Sequence, residues 1–304
     1  MSKFISEWKS VSDNTLMIAS AIGNEILRQS KSVTVKISPV GNFPYKEGQF
    51  RYNTGGLLGK INDLTVRYTI YYCRDERDYE YLYNDGNRLK CEADYDEEFI
   101  DIVTAYIGNN LQEDFLSDIS HEINHLLQYS KGFNKSGRTE NRYNTAIGIA
   151  QNNSYSFCYR VPSFILYYTF RHEVDSFAVQ FYSFLKRKIK SHRELSSKEN
   201  SLINILDEFQ PYINLTKSIE LYNDNINSDE ISNGIKALNM NQKTFEFRTD
   251  KGVRRFMRKM NHVYDRLCNE LNRSATAETV MRRAFMLHER FGDTPVCYEH
   301  IYAI

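Results

Sequence analysis

The spacing of apolar residues along the chain predicts a mixed α+β fold. Apolar positions recur at helical spacing over residues 16–27, and residues 33–37 alternate as a strand does. Residues 64–72 and 99–107 are rich in β-branched and aromatic side chains, which predicts two strands of one sheet. Five of the fourteen glycines lie between residues 41 and 59, which predicts a loop there.

Helical spacing dominates the second half of the chain. A helix is predicted over residues 115–129, and the polar, poorly periodic segment 131–159 after it predicts a loop. Pro162 is expected to open a long apolar helix over residues 163–188, because proline is favoured in the first turn of a helix. Charged sequence with helical spacing continues to a last predicted helix near residues 275–291.

The composition argues against several classes of function. Lys and Arg number 39 and Asp and Glu also number 39, so no global charge draws the protein to nucleic acid. The first residues are charged where a secretory signal needs an apolar core, and no apolar run approaches the ~20 residues of a membrane span. We therefore expect a cytoplasmic protein without a membrane partner. Its five cysteines are scattered, which argues against a disulfide framework and a thiolate metal site.

The most informative stretch holds His121, Glu122 and His125 in the spacing His-Glu-x-x-His. Residues four apart on a helix are offset by only ~40°, so both imidazoles lie on one face and can share a metal ion. Glu122 lies beside that face, within reach of a water at the metal, which is the position of a general base. The neighbouring apolar residues favour a buried helix over the alternative of two solvated surface histidines. We interpret the stretch as a zinc site.

A catalytic zinc ion needs a third protein ligand. Glu173 is the best candidate, because it falls in the second apolar helix, where a buried carboxylate is costly unless it is paired. His172 and Asp175 are rivals that point about 100° and 200° away from Glu173 on a helix, so only one of the three faces the ion well. The subclass with a third histidine soon after the motif is excluded, because Gln128 and Lys131 occupy the positions of its glycine and histidine.

Zinc-assisted hydrolysis of a peptide bond in a protein or peptide substrate is the expected reaction. His121, His125 and Glu173 are expected to bind Zn²⁺ and to leave a fourth position for water, whose proton Glu122 takes. Asp175 is a candidate for orienting a zinc-binding histidine. Candidates for stabilising the oxyanion are three tyrosines of the segment after the first zinc helix: Tyr143, Tyr155 and Tyr159. In a chain with 22 tyrosines, ordinary packing is the commoner role.

These motifs resemble those of gluzincin-type zincin metallopeptidases, and two intracellular groups among them in particular. Residues 121–127 are similar to the His-Glu-Ile-Gly-His-Leu-Leu helix of ImmA/IrrE-type peptidases, and residues 175–178 are loosely similar to their later Glu-Ala-Asn-x-Phe-Ala block. Gln128, residues 132–133 and residues 172–177 are similar to the zincin domain of phage polyvalent proteins.

The alignment with the polyvalent-protein pattern implies that Glu173 is the ligating glutamate. Three positions depart from that pattern, which has Gly, Glu and Ala where this chain has His172, Asp175 and Ser176. The resemblance covers about residues 99–185. It implies a zincin-like fold with a small mixed sheet, an active-site helix and a second ligand-bearing helix, in a bacterial or phage enzyme. It also suggests that residues 99–107 form the edge strand of the sheet.

The expected organisation has three parts. Residues 1–110 are expected to contribute the sheet, residues 111–190 the zincin metal-binding core, and residues 191–304 a mostly helical region. Two other functions stay open. One is an inactive zincin-fold module for binding or for a virion, and the other is a nucleic-acid-associated protein that uses the basic helix 251–259. Such a basic run is more often a solvated helix face.

Three other histidines lack a partner motif. A structural role is therefore expected for each of them. They are His262, His288 and His300.

Overall fold

The protein is a mixed α+β protein with two compact units, Met1–Asn134 and Lys135–Ile304, which we call the sheet unit and the helical unit. The computed structural model describes residues 2–38, 42–84, 90–107, 110–111, 115–130, 137–191 and 202–270. The α+β class predicted from the sequence is confirmed. The predicted three-part division stays a prediction. The helix predicted near residues 275–291 lies outside the described residues, as do His288 and His300.

The sheet unit contains, in its described part, three helices and one six-stranded sheet. In chain order the elements are α1 (Ser2–Ser30), β1 (Lys36–Ile37), β2 (Pro44–Leu58), β3 (Ile61–Cys73), α2 (Glu76–Asn84), β4 (Lys90–Asp94), β5 (Phe99–Ile107), β6 (Asn110–Leu111) and α3 (Phe115–Ser130). The strand order is β1-β2-β3-β5-β4, and β6 pairs with β5. Strands β3 and β5 are parallel, with Val66 opposite Ile100, whereas the other neighbours are antiparallel.

The core of the sheet unit joins the sheet to α1 and α3. Every second side chain of β3 from Leu64 to Ile70 is buried, as the two-residue period of a strand requires. These side chains share one apolar cluster with residues of the two helices: Ile18, Ile22, Ile26, Ile119, Ile123 and Leu126. The apolar residues of α3 recur every three or four positions, so they form one face of the helix. This face anchors α3 to the sheet, and the two histidines of α3 lie on the opposite face.

The loop predicted between residues 41 and 59 is wrong, because most of this segment is strand β2. Pairing with β3 along its length outweighs the low strand propensity of glycine. Gly48 leaves space for a neighbouring side chain, because a Cβ atom at this position would lie 2.4 Å from the Tyr68 hydroxyl oxygen. Gly59 has a φ of 67° in the two-residue turn into β3, a conformation that glycine adopts without strain. The strand predicted at 33–37 is shorter, as only Lys36 and Ile37 pair with β2.

The strands predicted at 64–72 and 99–107 are present as β3 and β5, and they are neighbours in one sheet. The suggested edge position of β5 is wrong. Strand β5 pairs with β3 on one side and with β4 on the other, so β4 is outermost. Helix α3, which agrees with the prediction for 115–129, packs against β4.

The helical unit contains seven helices in its described part. They are α4 (Gly137–Gln151), α5 (Phe157–Thr169), α6 (Arg171–Ser191), α7 (Leu202–Leu206), α8 (Gln210–Asp224), α9 (Asp229–Ala237) and α10 (Gln242–Glu270). Helix α5 is central and packs against α4, α8, α9 and α10, while α6 packs along α10. In the part of the chain that the structure describes, none of the helices combines the length and apolar character of a bilayer-crossing segment.

Two predictions for this region are wrong. The loop predicted over 131–159 holds helix α4, because Ala146, Ile149 and Ala150 form a short buried stripe at helical spacing. The single helix predicted over 163–188 is two helices, since Phe170 is extended, with a φ of −61° and a ψ of 141°. Pro162 lies inside α5 and does not open a helix.

Candidate metal centre

Helix α3 brings two imidazoles together at one point. The Nε2 atoms of His121 and His125 are 3.0 Å apart, and the ring centroids are 4.6 Å apart with the ring planes at 76°. Both side chains are buried, at 6% and 9% exposure. The four-residue spacing on one helix places the rings on adjacent turns, as expected from the sequence. Two buried imidazole nitrogens therefore point into the same small volume.

Gln128 extends this arrangement by one turn of α3. Its Oε1 atom lies 3.2 Å from Nδ1 of His125. When that nitrogen carries the proton, it donates to the amide oxygen, and Nε2 presents its lone pair toward His121. Gln128 is not among the site residues predicted from the sequence. Its three-residue spacing from His125 is the signal that indicates a positioning role.

The carboxylate of Glu173 is fully buried in the first turn of α6, with 0% of the residue exposed. The extended Phe170 ends α5, and its carbonyl oxygen accepts from the Val174 N–H over 2.9 Å, so α6 begins just before Glu173. The amino end of a helix favours a negative charge. Oε1 of Glu173 accepts a hydrogen bond of 2.5 Å from the Tyr143 hydroxyl and lies 3.3 Å from Nε2 of His172.

Aromatic rings hold Tyr143 in place beside Glu173. The Tyr143 ring packs edge-on against His172 at 4.3 Å and against Phe170 at 5.3 Å between centroids. Tyr143 comes from α4, in the segment that was predicted to be a loop. Its observed hydroxyl contact is with the candidate metal ligand, so its proposed contact with an oxyanion stays a prediction.

His121, His125 and Glu173 form a group that could hold a metal ion, because each offers one ligand atom and these atoms all lie within 4.8 Å of one another. Two ligand atoms bound tetrahedrally at ~2.1 Å from a zinc ion are ~3.4 Å apart. The 3.0 Å between the two Nε2 atoms is close to that value. Two imidazoles and one glutamate also match the ligand set of one class of catalytic zinc sites. The residues therefore fit a zinc ion.

Glu122, the predicted general base, is half-buried on α3 next to His121. Burial raises the pKa of the Cys91 thiol on β4 well above its ordinary value, and the nearby carboxylates of Glu122 and Asp118 raise it further. The Glu122 carboxylate is therefore close to β4. The Cys91 thiol stays protonated at neutral pH and is a poor metal ligand in that form.

The other predicted site residues lie in the helical unit with contacts of their own. Asp175 forms an ion pair with Lys259, with 2.9 Å between Oδ1 and Nζ, and its predicted role of orienting a histidine stays a prediction. Tyr155 and Tyr159 stack on each other with ring centroids 4.5 Å apart, and Tyr155 is 40% exposed. His262 lies on α10, where burial and nearby cations lower its pKa.

Comparisons with protein-family models, with curated proteins and with solved structures gave no match to this chain. The zincin resemblance therefore depends on the motifs quoted above. The physical support for a metal site comes from the convergence of His121, His125 and Glu173 and from their burial.

Proposed function

We propose that this protein is a zinc-dependent metallopeptidase of the zincin type, with the ion held by His121, His125 and Glu173. The observation that carries the proposal is the convergence of these three ligand atoms, with Glu122 next to His121 on α3. A site with three protein ligands is typical of catalytic zinc, whereas structural zinc usually has four. The small mixed sheet followed by helices is compatible with a zincin-like fold.

Zinc bound there would act as a Lewis acid and would lower the pKa of water toward about 7. Glu122 then accepts a proton from the attacking water and returns it to the amine of the leaving peptide. Its half-buried position suits this task, because the carboxylate remains within reach of solvent. Proton transfer of this kind typically contributes about 10²- to 10⁴-fold to the rate.

Other residues of the chain position the ligands. Gln128 accepts from Nδ1 of His125 and so favours the tautomer with the lone pair on Nε2. The Tyr143 hydroxyl holds one carboxylate oxygen of Glu173, which restricts how the carboxylate rotates. The expected substrate is a peptide or a protein.

The direct test compares wild-type protein with Glu122→Gln and with Glu47→Gln, a matched change on strand β2. Zinc content is measured by mass spectrometry, and hydrolysis is followed with a library of quenched fluorescent peptides. We expect full zinc in all three proteins and hydrolysis only in wild type and Glu47→Gln. Hydrolysis by Glu122→Gln at the wild-type rate would reject the assigned base. Full zinc without hydrolysis of any library peptide by wild type would contradict the proposal and favour an inactive binding module.

A further inference from the structure

One face of helix α10 is positively charged. It has eight Lys or Arg residues and four Asp or Glu residues, and residues 251–259 include five basic residues and no acidic one. Two of the acids lie on another side of the helix, where Asp250 is buried and pairs with Arg254, and Glu246 accepts a hydrogen bond from the Tyr222 hydroxyl. The exposed or half-exposed basic positions without these partners are Lys243, Arg248, Lys251, Arg255 and Arg258.

The start of α6 adds another guanidinium to this face. Gly252 on α10 lies against Thr169 at the end of α5, where a Cβ atom would come 2.3 Å from the threonine Cβ. About two turns further on, Lys259 pairs with Asp175 of α6. Arg255 lies between these two contact points on α10, and Arg171 lies between them on the facing segment, so the two arginines are neighbours.

The arginines on this face repel one another. Burial lowers the pKa of the half-buried Arg255, and the nearby Arg171 and Arg258 lower it further, while the Asp175 carboxylate raises it. Among the residues that the structure describes, no carboxylate forms an ion pair with any of these three arginines, since Asp175 pairs with Lys259. The Asp175 carboxylate, which is shared with Lys259, offsets only part of the repulsion among the three arginines, so an anion that joins them is favourable.

An exposed aromatic ring lies on the same side of α10. Phe247 is 67% exposed, next to Arg248 and one turn before Lys251. From Phe247 to Arg258 the helix extends about 16 Å, which is enough for several phosphates of a polynucleotide strand. Guanidinium groups bind phosphate oxygens in a bidentate manner, and an exposed ring offers a stacking platform for an unpaired base.

We propose that this basic face, formed by Arg171, Phe247, Arg248, Lys251, Arg255 and Arg258, binds the phosphate backbone of single-stranded nucleic acid. The ring favours a single strand over a duplex, whose bases are already stacked, and over an acidic polypeptide, which has no base to stack. This binding does not depend on the proposed zinc chemistry.

The test measures fluorescence anisotropy of a labelled oligothymidylate longer than a typical binding site of about 4–16 nucleotides. The full-length protein is titrated at several salt concentrations between about 50 and 200 mM. We expect affinity to fall steeply with salt. The triple variant Arg171→Gln, Arg255→Gln, Arg258→Gln should reduce the slope of log K against log salt by about 2, because each phosphate contact contributes ~0.7 on a single strand.

The matched control removes the same charge from the sheet unit, through Arg28→Gln, Lys36→Gln and Arg74→Gln, and should leave the slope unchanged. Phe247→Ser should weaken binding about fivefold or more at constant salt, because a stacked base is lost. Circular dichroism and thermal unfolding report whether each variant is folded. Absence of binding at low salt, or an equal loss in the control, would overturn the proposal. Displacement by polyglutamate together with normal binding by Phe247→Ser would assign the face to an acidic polypeptide instead.

Discussion

The replacement Tyr143→Phe should weaken zinc binding without removing a ligand. The Tyr143 hydroxyl donates to Oε1 of Glu173 over 2.5 Å, and Glu173 is fully buried. A hydrogen bond to a charged group contributes about 1.5–3 kcal/mol. At about 1.4 kcal/mol per factor of ten, its loss corresponds to roughly 10- to 150-fold weaker zinc binding. This agrees with the 10- to 100-fold effect typical of residues that orient metal ligands, by order of magnitude.

The substitution isolates the hydroxyl group. A phenylalanine ring keeps the edge-on contacts with Phe170 and His172, so the packing around Glu173 is retained. Zinc affinity is measured by competition with a chromophoric chelator for wild type, Tyr143→Phe and Tyr155→Phe. The last variant is the control, because Tyr155 is 40% exposed and stacks on Tyr159 through its ring. Equal zinc affinity in all three proteins would refute the view that Tyr143 supports the metal ligand.

Four further substitutions test other contacts in the protein. Gln128→Ala should lower zinc affinity about tenfold in the competition assay, and an unchanged affinity would reject its positioning role. Gly234→Ala should lower the free energy of unfolding in urea by about 1–3 kcal/mol, because its Cβ atom would meet the Tyr159 carbonyl oxygen at 2.3 Å. Gly148→Ala, which has open space on α4, should instead raise it by up to about 1 kcal/mol. The folded-state pKa of Cys91 lies above the ordinary thiol value, so its contribution to stability is complete below about pH 8.5 and is lost as pH rises further. Between about pH 8 and pH 10, wild type should lose more stability than Cys91→Ala.

The helix of the two histidines was predictable because its signal is local. The apolar residues Ile119, Ile123 and Leu126 recur at helical spacing, and the same spacing predicts that His121 and His125 share a face. Strands β3 and β5 were predictable for a similar reason, since their side chains have strong strand propensity. Each of these elements contains within its own sequence the pattern that it adopts.

The elements that were predicted wrongly depend on partners distant in the chain. Strand β2 contains several glycines and forms because β3 pairs with it along its length. Gly48 looks like a loop residue in the sequence, yet it makes room for Tyr68 on that neighbouring strand. The break between α5 and α6 at Phe170 is not marked by a glycine or a proline in the sequence. Pro162 lies earlier, inside α5.

The sequence by itself determined which reactive groups are present: two imidazoles and a carboxylate at helical spacing, and further candidate ligands in the helix downstream. The tertiary structure adds that Glu173 belongs to the group close enough to share an ion, whereas Asp175 pairs with Lys259. The role of Glu173 as the third ligand stays a prediction. The tertiary structure also assigned Tyr143 to the support of Glu173. The physical reason is that helical spacing sets the direction of a side chain around its own axis, whereas packing between helices decides which group that side chain meets.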